Sequence, residues 1–301
     1  MKPMTLVLVP IVLLACTSAA VAGTPINESR AADATARIDI SNVRGSVSVS
    51  AWDQSRVEIT GTLGKGSKGL RVDGNASRID IEVEKPDSSG WFNWGSSSNM
   101  EDSILEIRVP HGAELHIDTV SAEVTVSGTA GILLSVESVS GKVRLDSTAR
   151  ELEISTVSGS VEVSGDGERQ HAETVSGDID SRSNRAQLKL ETVSGNIAAS
   201  NSGYKELNAS SVSGDISLRG KPGDDARVDT ETMSGDIRID STGDLSARIE
   251  AETFSGRIRS DFGSVKEPEH GPGRSLDATV GNGSARIGIE TFSGDISIRR
   301  E

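Results

Sequence analysis

Cysteine, aromatic side chains and clustered positive charge are scarce in this sequence. Cys16 is its single cysteine, which excludes a disulfide bond within the chain. Aromatic residues make up only 3% of the chain while glycine occurs 32 times. An interior must therefore be built from Val, Ile, Ala, Thr and Gly, which suits β layers better than packed helices. The net charge is −14 and Lys and Arg do not cluster, so nucleic acid is not an expected partner.

The first residues predict export from the cell. Lys2 supplies a positive start, Leu6–Leu14 forms an apolar core, and Ala20–Ala22 has the small residues of a cleavage site, so residues 1–22 read as a signal peptide. The sequence LLAC that ends at Cys16 resembles a lipobox, in which this cysteine carries a lipid. Two alternatives follow: a soluble exported protein, or a membrane tether through Cys16. We expect the periplasm, the outer membrane or the extracellular space as the location.

One seven-residue motif returns throughout the chain, mostly at intervals of about 18–21 residues. Its copies are DTVSAEV (118–124), ESVSGKV (137–143), STVSGSV (155–161), ETVSGDI (173–179), ETVSGNI (191–197), SSVSGDI (210–216), ETMSGDI (231–237), ETFSGRI (252–258) and ETFSGDI (290–296). Apolar and polar residues alternate on both sides of the motif, which is typical of strands with one buried face. The pattern predicts an all-β fold, a single-axis β-solenoid with one repeat unit per coil and capped ends.

The parity of the alternation changes at the motif, which indicates a corner. Leu152 and Ile154 alternate on even numbers, whereas Val161 and Val163 alternate on odd numbers. We therefore expect the motif Thr and the Val after it both to face inward. Glycine in the motif is explained either by a positive φ or by a lack of space for a side chain. Ala122 occupies the same position in one copy, which favours the lack of space. The expected structural repeat positions are Thr156, Gly159, Thr174, Gly177, Thr192, Gly195, Gly214, Gly235, Gly256 and Gly294.

The regularity of the repeat divides the chain into segments. Residues 23–36 are predicted to be a flexible leader, and residues 37–118 irregular N-terminal coils with a cap. Residues 119–260 are predicted to form the regular TVSG-repeat solenoid. Residues 261–301 are predicted to form a loop, a hairpin and a final coil that caps the C-terminal end, because an open terminal coil is a template for aggregation.

These motifs, together with IRVP at 107–110, GNGSARI at 281–287 and the closing SGDISI, resemble a bacterial adhesin-like β-strand-repeat family, a domain of unknown function. The resemblance covers residues 38–301. It implies an exported or envelope β-solenoid and offers no catalytic residues to transfer to this chain.

Two sets of residues are candidates for binding. Trp91, Phe92 and Trp94 gather in a Gly/Ser-rich stretch, where they could stack on sugars or meet a membrane surface, or fold back and seal the core. Outward acidic positions form two columns that could hold a divalent cation or form a solvated face. The members are Asp178, Asn196, Asp215, Asp236 and Asp295 in one column, with Asp178, Asp215 and Asp236 as weak metal candidates, and Glu173, Glu191, Glu231, Glu252 and Glu290 in the other.

Catalytic signals are weak. The histidines at 111, 116, 171 and 270 lack the spacing of metal ligands, and the motif serines form a repeated column rather than one activated nucleophile. We expect no cofactor and a non-enzymatic exported β-solenoid, a structural or adhesin-like surface that binds an envelope glycan or protein. The alternative is a carbohydrate-binding or polysaccharide-cleaving β-helix.

Overall fold

The computed structural model describes residues 23–85, 100–267 and 272–301. These residues form strands, turns and bends without a helix, which confirms the all-β prediction. The strands are β1 (Thr24–Ala31), β2 (Arg37–Trp52), β3 (Arg56–Leu63), β4 (Gly69–Asn75), β5 (Arg78–Glu84), β6 (Ser103–Pro110), β7 (Glu114–Thr129), β8 (Leu133–Ser138), β9 (Val143–Ser147), β10 (Glu151–Thr156), β11 (Val161–Thr174), β12 (Ile179–Thr192), β13 (Ile197–Ser202), β14 (Glu206–Ser213), β15 (Ile216–Lys221), β16 (Arg227–Ser234), β17 (Ile237–Ser241), β18 (Ala247–Ser255), β19 (Ile258–Ser260), β20 (Arg274–Val280), β21 (Ala285–Ser293) and β22 (Ile296–Arg300).

Equivalent residues of neighbouring repeat units pair in parallel. Thr156 pairs with Thr174, which pairs with Thr192. Each unit therefore contributes one strand before the corner and one after it, and both strands continue in ladders along the stack. The buried side chains form two apolar columns, one on each side of the corner. The first contains Leu115, Leu134, Leu152, Leu188, Leu207 and Val228, with the buried Gln170 between Leu152 and Leu188, and the second contains Val124, Val143, Val161, Ile179, Ile197, Ile216 and Ile237.

The N-terminal end contains antiparallel strands that cover the stack. Strand β2 pairs in parallel with β7 on one side and with β5 and β6 on the other. Strand β4 pairs antiparallel with β5, and strand β3 pairs antiparallel with β6. The flexible leader predicted for residues 23–36 is wrong for Thr24–Ala31, which form β1 and pair antiparallel with β3. The buried side chain of Ile26 anchors β1 to the core.

The last repeat unit does not lie at the end of the stack. Strand β21 pairs in parallel with β16 on one side and with β18 on the other, and β22 likewise lies between β17 and β19. The C-terminal unit is thus inserted between two units that precede it in sequence. Strand β20 pairs antiparallel with β18 and covers its outer edge. The expected hairpin between β20 and β21 and the expected cap by the final unit are therefore wrong, because β18 separates these two strands.

The corner also differs from the expectation. The motif Thr is buried, as at Thr174, but the next residue, Val175, is 47% exposed. Ser176 is exposed as well, and the chain returns inward at Gly177. The change of parity therefore comes from two consecutive outward residues, Val and Ser, and the expectation of two inward residues is wrong.

Lack of space accounts for most of the motif glycines. A Cβ on Gly177 would lie 2.0 Å from the backbone oxygen of Gly159, and a Cβ on Gly195 would lie 2.0 Å from that of Gly177. Neither glycine has a positive φ, whereas Gly141 has a φ of 131°. Ala122 occupies the equivalent position in β7, where a continuous strand paired with β2 replaces the sharp corner.

The motif threonines bond to the backbone at the corner. The amide of Gly159 donates to Thr156 Oγ1 at 3.0 Å, and the amide of Gly177 donates to Thr174 Oγ1 at 3.1 Å. In later units the hydroxyl donates across the stack instead, as from Thr232 to the oxygen of Gly214 at 3.3 Å. These bonds satisfy main-chain groups where the ladder is interrupted.

One basic side chain is fully buried inside the stack. Arg185 donates to the main-chain oxygens of Ala149 at 2.6 Å and Ser147 at 2.8 Å. Burial lowers the pKa of this guanidinium to about 10, so it remains charged at neutral pH. We interpret Arg185 as a structural clamp between units, because its donors are directed at backbone oxygens of the preceding turns.

Candidate functional site

A line of exposed apolar side chains follows the corners of successive units. We call it the apolar ridge. In stacking order it consists of Val120, Val139, Val157, Val175, Val193, Val212, Met233, Phe292 and Phe254, each between 41% and 62% exposed. At a strand spacing of ~4.8 Å the ridge extends for roughly 40 Å. Contiguous apolar surface of this kind commonly marks an interaction site.

The backbone beneath the ridge is already hydrogen-bonded. The amide of Ser158 donates to the oxygen of Val139 at 2.9 Å, and the amide of Ser176 donates to that of Val157 at 2.9 Å. The amides of the ridge residues are also hydrogen-bonded. The Val175 amide, for example, donates to the oxygen of Thr156 at 3.2 Å. These bonds between units fix the side chains in a row, so the ridge is presented by a rigid scaffold.

The ridge ends beside a groove of about 790 Å³ near the C-terminal units. The rings of Phe254 and Phe292 stack with centroids 4.8 Å apart and planes 8° apart. Lys266 and Arg274 also line the groove, and Arg274 Nε forms an ion pair with Glu267 at 2.7 Å. The groove therefore combines an aromatic surface with charged groups of both signs.

An acidic column borders the ridge on the strand that precedes the corner. We call it the Glu column, and it contains Asp118, Glu137, Glu173, Glu191, Glu231, Glu290 and Glu252 in stacking order, with Ser155 and Ser210 between them. Burial and then the Glu137 carboxylate raise the pKa of Asp118. A hydrogen bond from the Lys189 ammonium lowers the pKa of Glu191.

A second column borders the ridge on the other side of the corner. We call it the Asp column, and it contains Asp178, Asn196, Asp215, Asp236 and Asp295. Its carboxylates accept backbone bonds from the next unit. The amide of Asn196 donates to Asp178 Oδ1 at 2.8 Å, and the amide of Asp236 donates to Asp215 Oδ1 at 2.8 Å. At the end of the column Arg257 Nη2 pairs with Asp295 Oδ2 at 2.7 Å, and this hydrogen bond lowers the pKa of Asp295. The repeated Asp thus has a structural role that does not require a metal ion.

Replacing Asp178 tests this structural role. We expect Asp178→Ala to lower the free energy of unfolding by about 1 kcal/mol, because the Asn196 amide loses its acceptor. Asp178→Asn should change it by less than ~0.5 kcal/mol, since Asn196 Oδ1 accepts the Asp215 amide at 3.0 Å in the same geometry. Urea unfolding monitored by circular dichroism measures both values, with Asp146→Ala on β9 as an exposed control. Equal losses for Ala and Asn would contradict this role.

His171, Glu173 and Glu191 bring their ligand atoms within 4.8 Å of one another. His171 Nε2 lies 3.3 Å from Glu191 Oε2. However, Lys189 Nζ lies 2.8 Å from the same Glu191 oxygen, where a metal ion would have to bind. The Glu173 carboxylate accepts from Ser155 Oγ at 2.8 Å. This arrangement is a surface ion-pair network in which a lysine already supplies the cation.

The sequence-predicted binding residues Trp91, Phe92 and Trp94 lie outside the described residues, as do Cys16 and the predicted signal peptide. Sequence reasoning missed the apolar ridge, because it assigned the motif Val to the interior. One signal could have identified it. The position changes from Val through Met233 to Phe254 and Phe292 towards the C-terminus, whereas a tightly packed interior column would not accept such an increase in volume.

The chain belongs to the Toastrack DUF4097 family, whose model matches residues 35–299. This match confirms the family resemblance that the repeat motifs indicated. A comparison with curated proteins gives no match. Within the described ranges, no helix is long and apolar enough to cross a bilayer.

Several solved structures are similar to this chain. A lipid-binding protein candidate from Parabacteroides distasonis is 16% identical, with a TM-score of 0.47 and coverage of 93% of this chain and 97% of that one. An adhesin candidate from Parabacteroides merdae is 9% identical, with a TM-score of 0.42 and coverage of 93% and 97%. An adhesin candidate from Bacteroides fragilis is 12% identical, with a TM-score of 0.40 and coverage of 92% and 97%.

Proposed function

We propose that this chain is an exported, non-enzymatic β-solenoid that binds a partner at the bacterial envelope in an adhesin-like manner. The observation that carries the proposal is the apolar ridge, a row of half-exposed side chains on successive units. In this proposal the units share one axis, residues 1–22 direct export, and the mature protein is either soluble or tethered through Cys16. A long, regular surface of this kind binds through many repeated contacts.

The chemistry of the polar groups supports a binding role over a catalytic one. The described histidines contact carboxylates or a main-chain oxygen, as His116 contacts Glu114 at 3.0 Å and His111 contacts the oxygen of Gly128 at 2.8 Å. The motif serine Ser140 Oγ donates to the oxygen of Val120 at 3.2 Å. These are bonds that hold the corner together, and a nucleophile requires an adjacent base.

A ridge variant tests the proposal. Val157→Thr/Val175→Thr/Val193→Thr keeps the shape and strand preference of each side chain but replaces one methyl group with a polar hydroxyl. We expect the affinity for isolated bacterial envelopes, measured by co-sedimentation, to fall at least tenfold, since each valine that becomes buried contributes about 1 kcal/mol. Circular dichroism and the melting temperature should remain unchanged.

The matched control is Ile104→Thr/Ile132→Thr, which alters exposed isoleucines outside the ridge. It should leave envelope binding unchanged. Unaltered binding of the ridge variant, or an equal loss in the control, would contradict the proposed function.

The stacked pair of Phe254 and Phe292 favours a glycan as the alternative partner class, because sugar rings pack on aromatic surfaces. The same assay separates the two classes. Soluble envelope polysaccharide would then compete with envelope binding by the native protein but not with binding by Phe254→Ala. This result would assign the groove to a carbohydrate. Loss after protease treatment of the envelopes would assign the ridge to a protein.

A further inference from the structure

We infer that the apolar ridge receives a basic amphipathic α-helix of a partner protein. This inference rests on the proposed function, which makes the ridge a binding surface, and it adds the chemistry and conformation of the partner. Three features of the ridge carry it: its two acidic borders, its hydrogen-bonded backbone, and its spacing.

Negative charge borders the ridge on both sides. Within one unit the order is Glu173, Val175 and Asp178, so the valine lies between a residue of the Glu column and one of the Asp column. The same order recurs as Glu231, Met233 and Asp236. A partner that covers the ridge therefore needs an apolar stripe with positive charge on both of its flanks. Negative groups on the partner would be held close to the carboxylates of the two columns.

This charge distribution disfavours two other occupants. A second copy of the chain placed ridge to ridge would bring its own acidic columns against these. A bilayer rich in anionic lipid would present phosphate groups to the same carboxylates. Both arrangements bring like charges together wherever the columns carry Asp or Glu. A segment with Lys or Arg beside its apolar residues forms opposite-charge pairs instead.

The backbone beneath the ridge excludes addition of a β-strand there. The oxygens of Val139 and Val157 and the amide of Val175 are already bonded to neighbouring units. A partner must therefore bind through side chains, as an amphipathic helix does when it lies in a groove. Ridge side chains recur every ~4.8 Å and helix turns every ~5.4 Å, so one apolar residue per turn meets the ridge over several turns.

The groove at the C-terminal end supplies a wider contact for the same helix. Met233, Phe292 and Phe254 line it and are the largest side chains of the ridge. Aromatic and Met side chains are common at the centres of protein interfaces. We expect a large apolar residue of the partner helix to insert beside the Phe254 and Phe292 pair.

The test uses a synthetic helical peptide of Leu and Lys, with Leu spaced for one face, and fluorescence anisotropy as the readout. The native protein should bind it, whereas a peptide of the same composition in scrambled order and an analogue with Glu in place of Lys should bind at least tenfold more weakly. Val157→Thr/Val175→Thr/Val193→Thr should also weaken binding at least tenfold.

A charge variant completes the test. Glu173→Gln/Glu231→Gln/Glu290→Gln should weaken binding at least tenfold and reduce its dependence on salt. The control Glu101→Gln/Glu106→Gln/Asp146→Asn makes the same change in net charge away from the ridge and should have less than a twofold effect. Equal effects of the two variants would overturn the inference, because attraction to the net charge alone would then explain binding.

The remaining outcomes separate this inference from the proposed function. If the ridge variant loses envelope binding while the native protein does not bind the helical peptide, the proposed function holds and the inference of a basic helix as partner is wrong. Ridge-dependent binding to phosphatidylglycerol vesicles, or a ridge-dependent dimer in sedimentation, would likewise overturn the helix as occupant. If neither envelopes nor peptide distinguish the ridge variant, both proposals fail.

Discussion

Deleting residues 285–301 is expected to unfold the C-terminal part of the stack rather than shorten it by one unit. Strand β21 lies between β16 and β18, so its removal leaves β16 paired with β14 alone and β18 paired only with the antiparallel β20. The deletion also removes four buried isoleucines, Ile287, Ile289, Ile296 and Ile298. Their burial contributes about 6–12 kcal/mol, which is comparable with the whole stability of a typical domain.

Hydrogen exchange measured by mass spectrometry distinguishes the two outcomes. Repeat arrays are stabilised mainly by contacts between neighbouring units, so β8, β10 and β12 should keep their protection while β18 and β20 lose it and β16, still paired with β14, is protected less. If the units stacked in sequence order, β18 would still pair with β16 and remain protected. Retained protection of β18 in the truncated protein would contradict the inserted arrangement.

Engineered disulfides in the chain without the deletion give an independent test of the strand order. Glu231 pairs with Glu290, and Glu290 pairs with Glu252. In a Cys16→Ser background, Glu231→Cys/Glu290→Cys should oxidise readily, because paired strands are ~4.8 Å apart. Glu231→Cys/Glu252→Cys should not, since roughly twice that distance separates the two positions.

The inserted arrangement could not be predicted from the sequence, because the repeat motifs are nearly interchangeable. ETMSGDI, ETFSGRI and ETFSGDI present the same alternation of buried and exposed residues. The sequence pattern therefore does not distinguish which of these units stack on one another. The chain between β19 and β21 is long enough to return between two earlier units, and only the long-range pairing determines which neighbours the last unit takes.

The corner shows a second limit of the sequence pattern. Local alternation correctly places Leu152, Ile154, Val161 and Val163 in the interior. At the motif itself the pattern predicts that the Thr and the Val after it both face inward. The structure buries Thr174, whose hydroxyl accepts the Gly177 amide at the interrupted ladder, but it exposes Val175. A hydrogen bond that depends on the folded corner therefore decides the orientation, and the apolar ridge follows from it.

Predictions that depended on repetition succeeded where each unit meets its neighbour in sequence order. The pairing of Thr174 with Thr192 follows directly from the spacing of the motifs. The leader was misjudged for a related reason. Residues 24–31 lack a motif and contain few apolar residues, yet β1 pairs along its full length with β3. Its order comes from main-chain bonds to an edge strand, which composition does not reveal.

Gly177→Val is expected to destabilise the protein by about 3 kcal/mol, the upper end of the cost of overpacking. A Cβ at this position would lie 2.0 Å from the backbone oxygen of Gly159 and 2.9 Å from Thr174 Oγ1. The oxygen belongs to a corner that is bonded to both neighbouring units, so it cannot move aside without breaking the ladder. Urea unfolding should show a lower midpoint, with the slope unchanged if only the folded state is affected.

Gly69→Ala on β4 is the matched control, because a Cβ there would meet only Glu84 Oε2 at 4.0 Å. It should change the free energy of unfolding by less than ~0.5 kcal/mol. Ala122→Gly adds a comparison within the motif position itself. In β7 the continuous strand accommodates the Ala side chain, so its removal should destabilise by about 1 kcal/mol through chain entropy. A tolerated Val at Gly177 would show that the corners can separate, and the close stacking that aligns the apolar ridge would then be wrong.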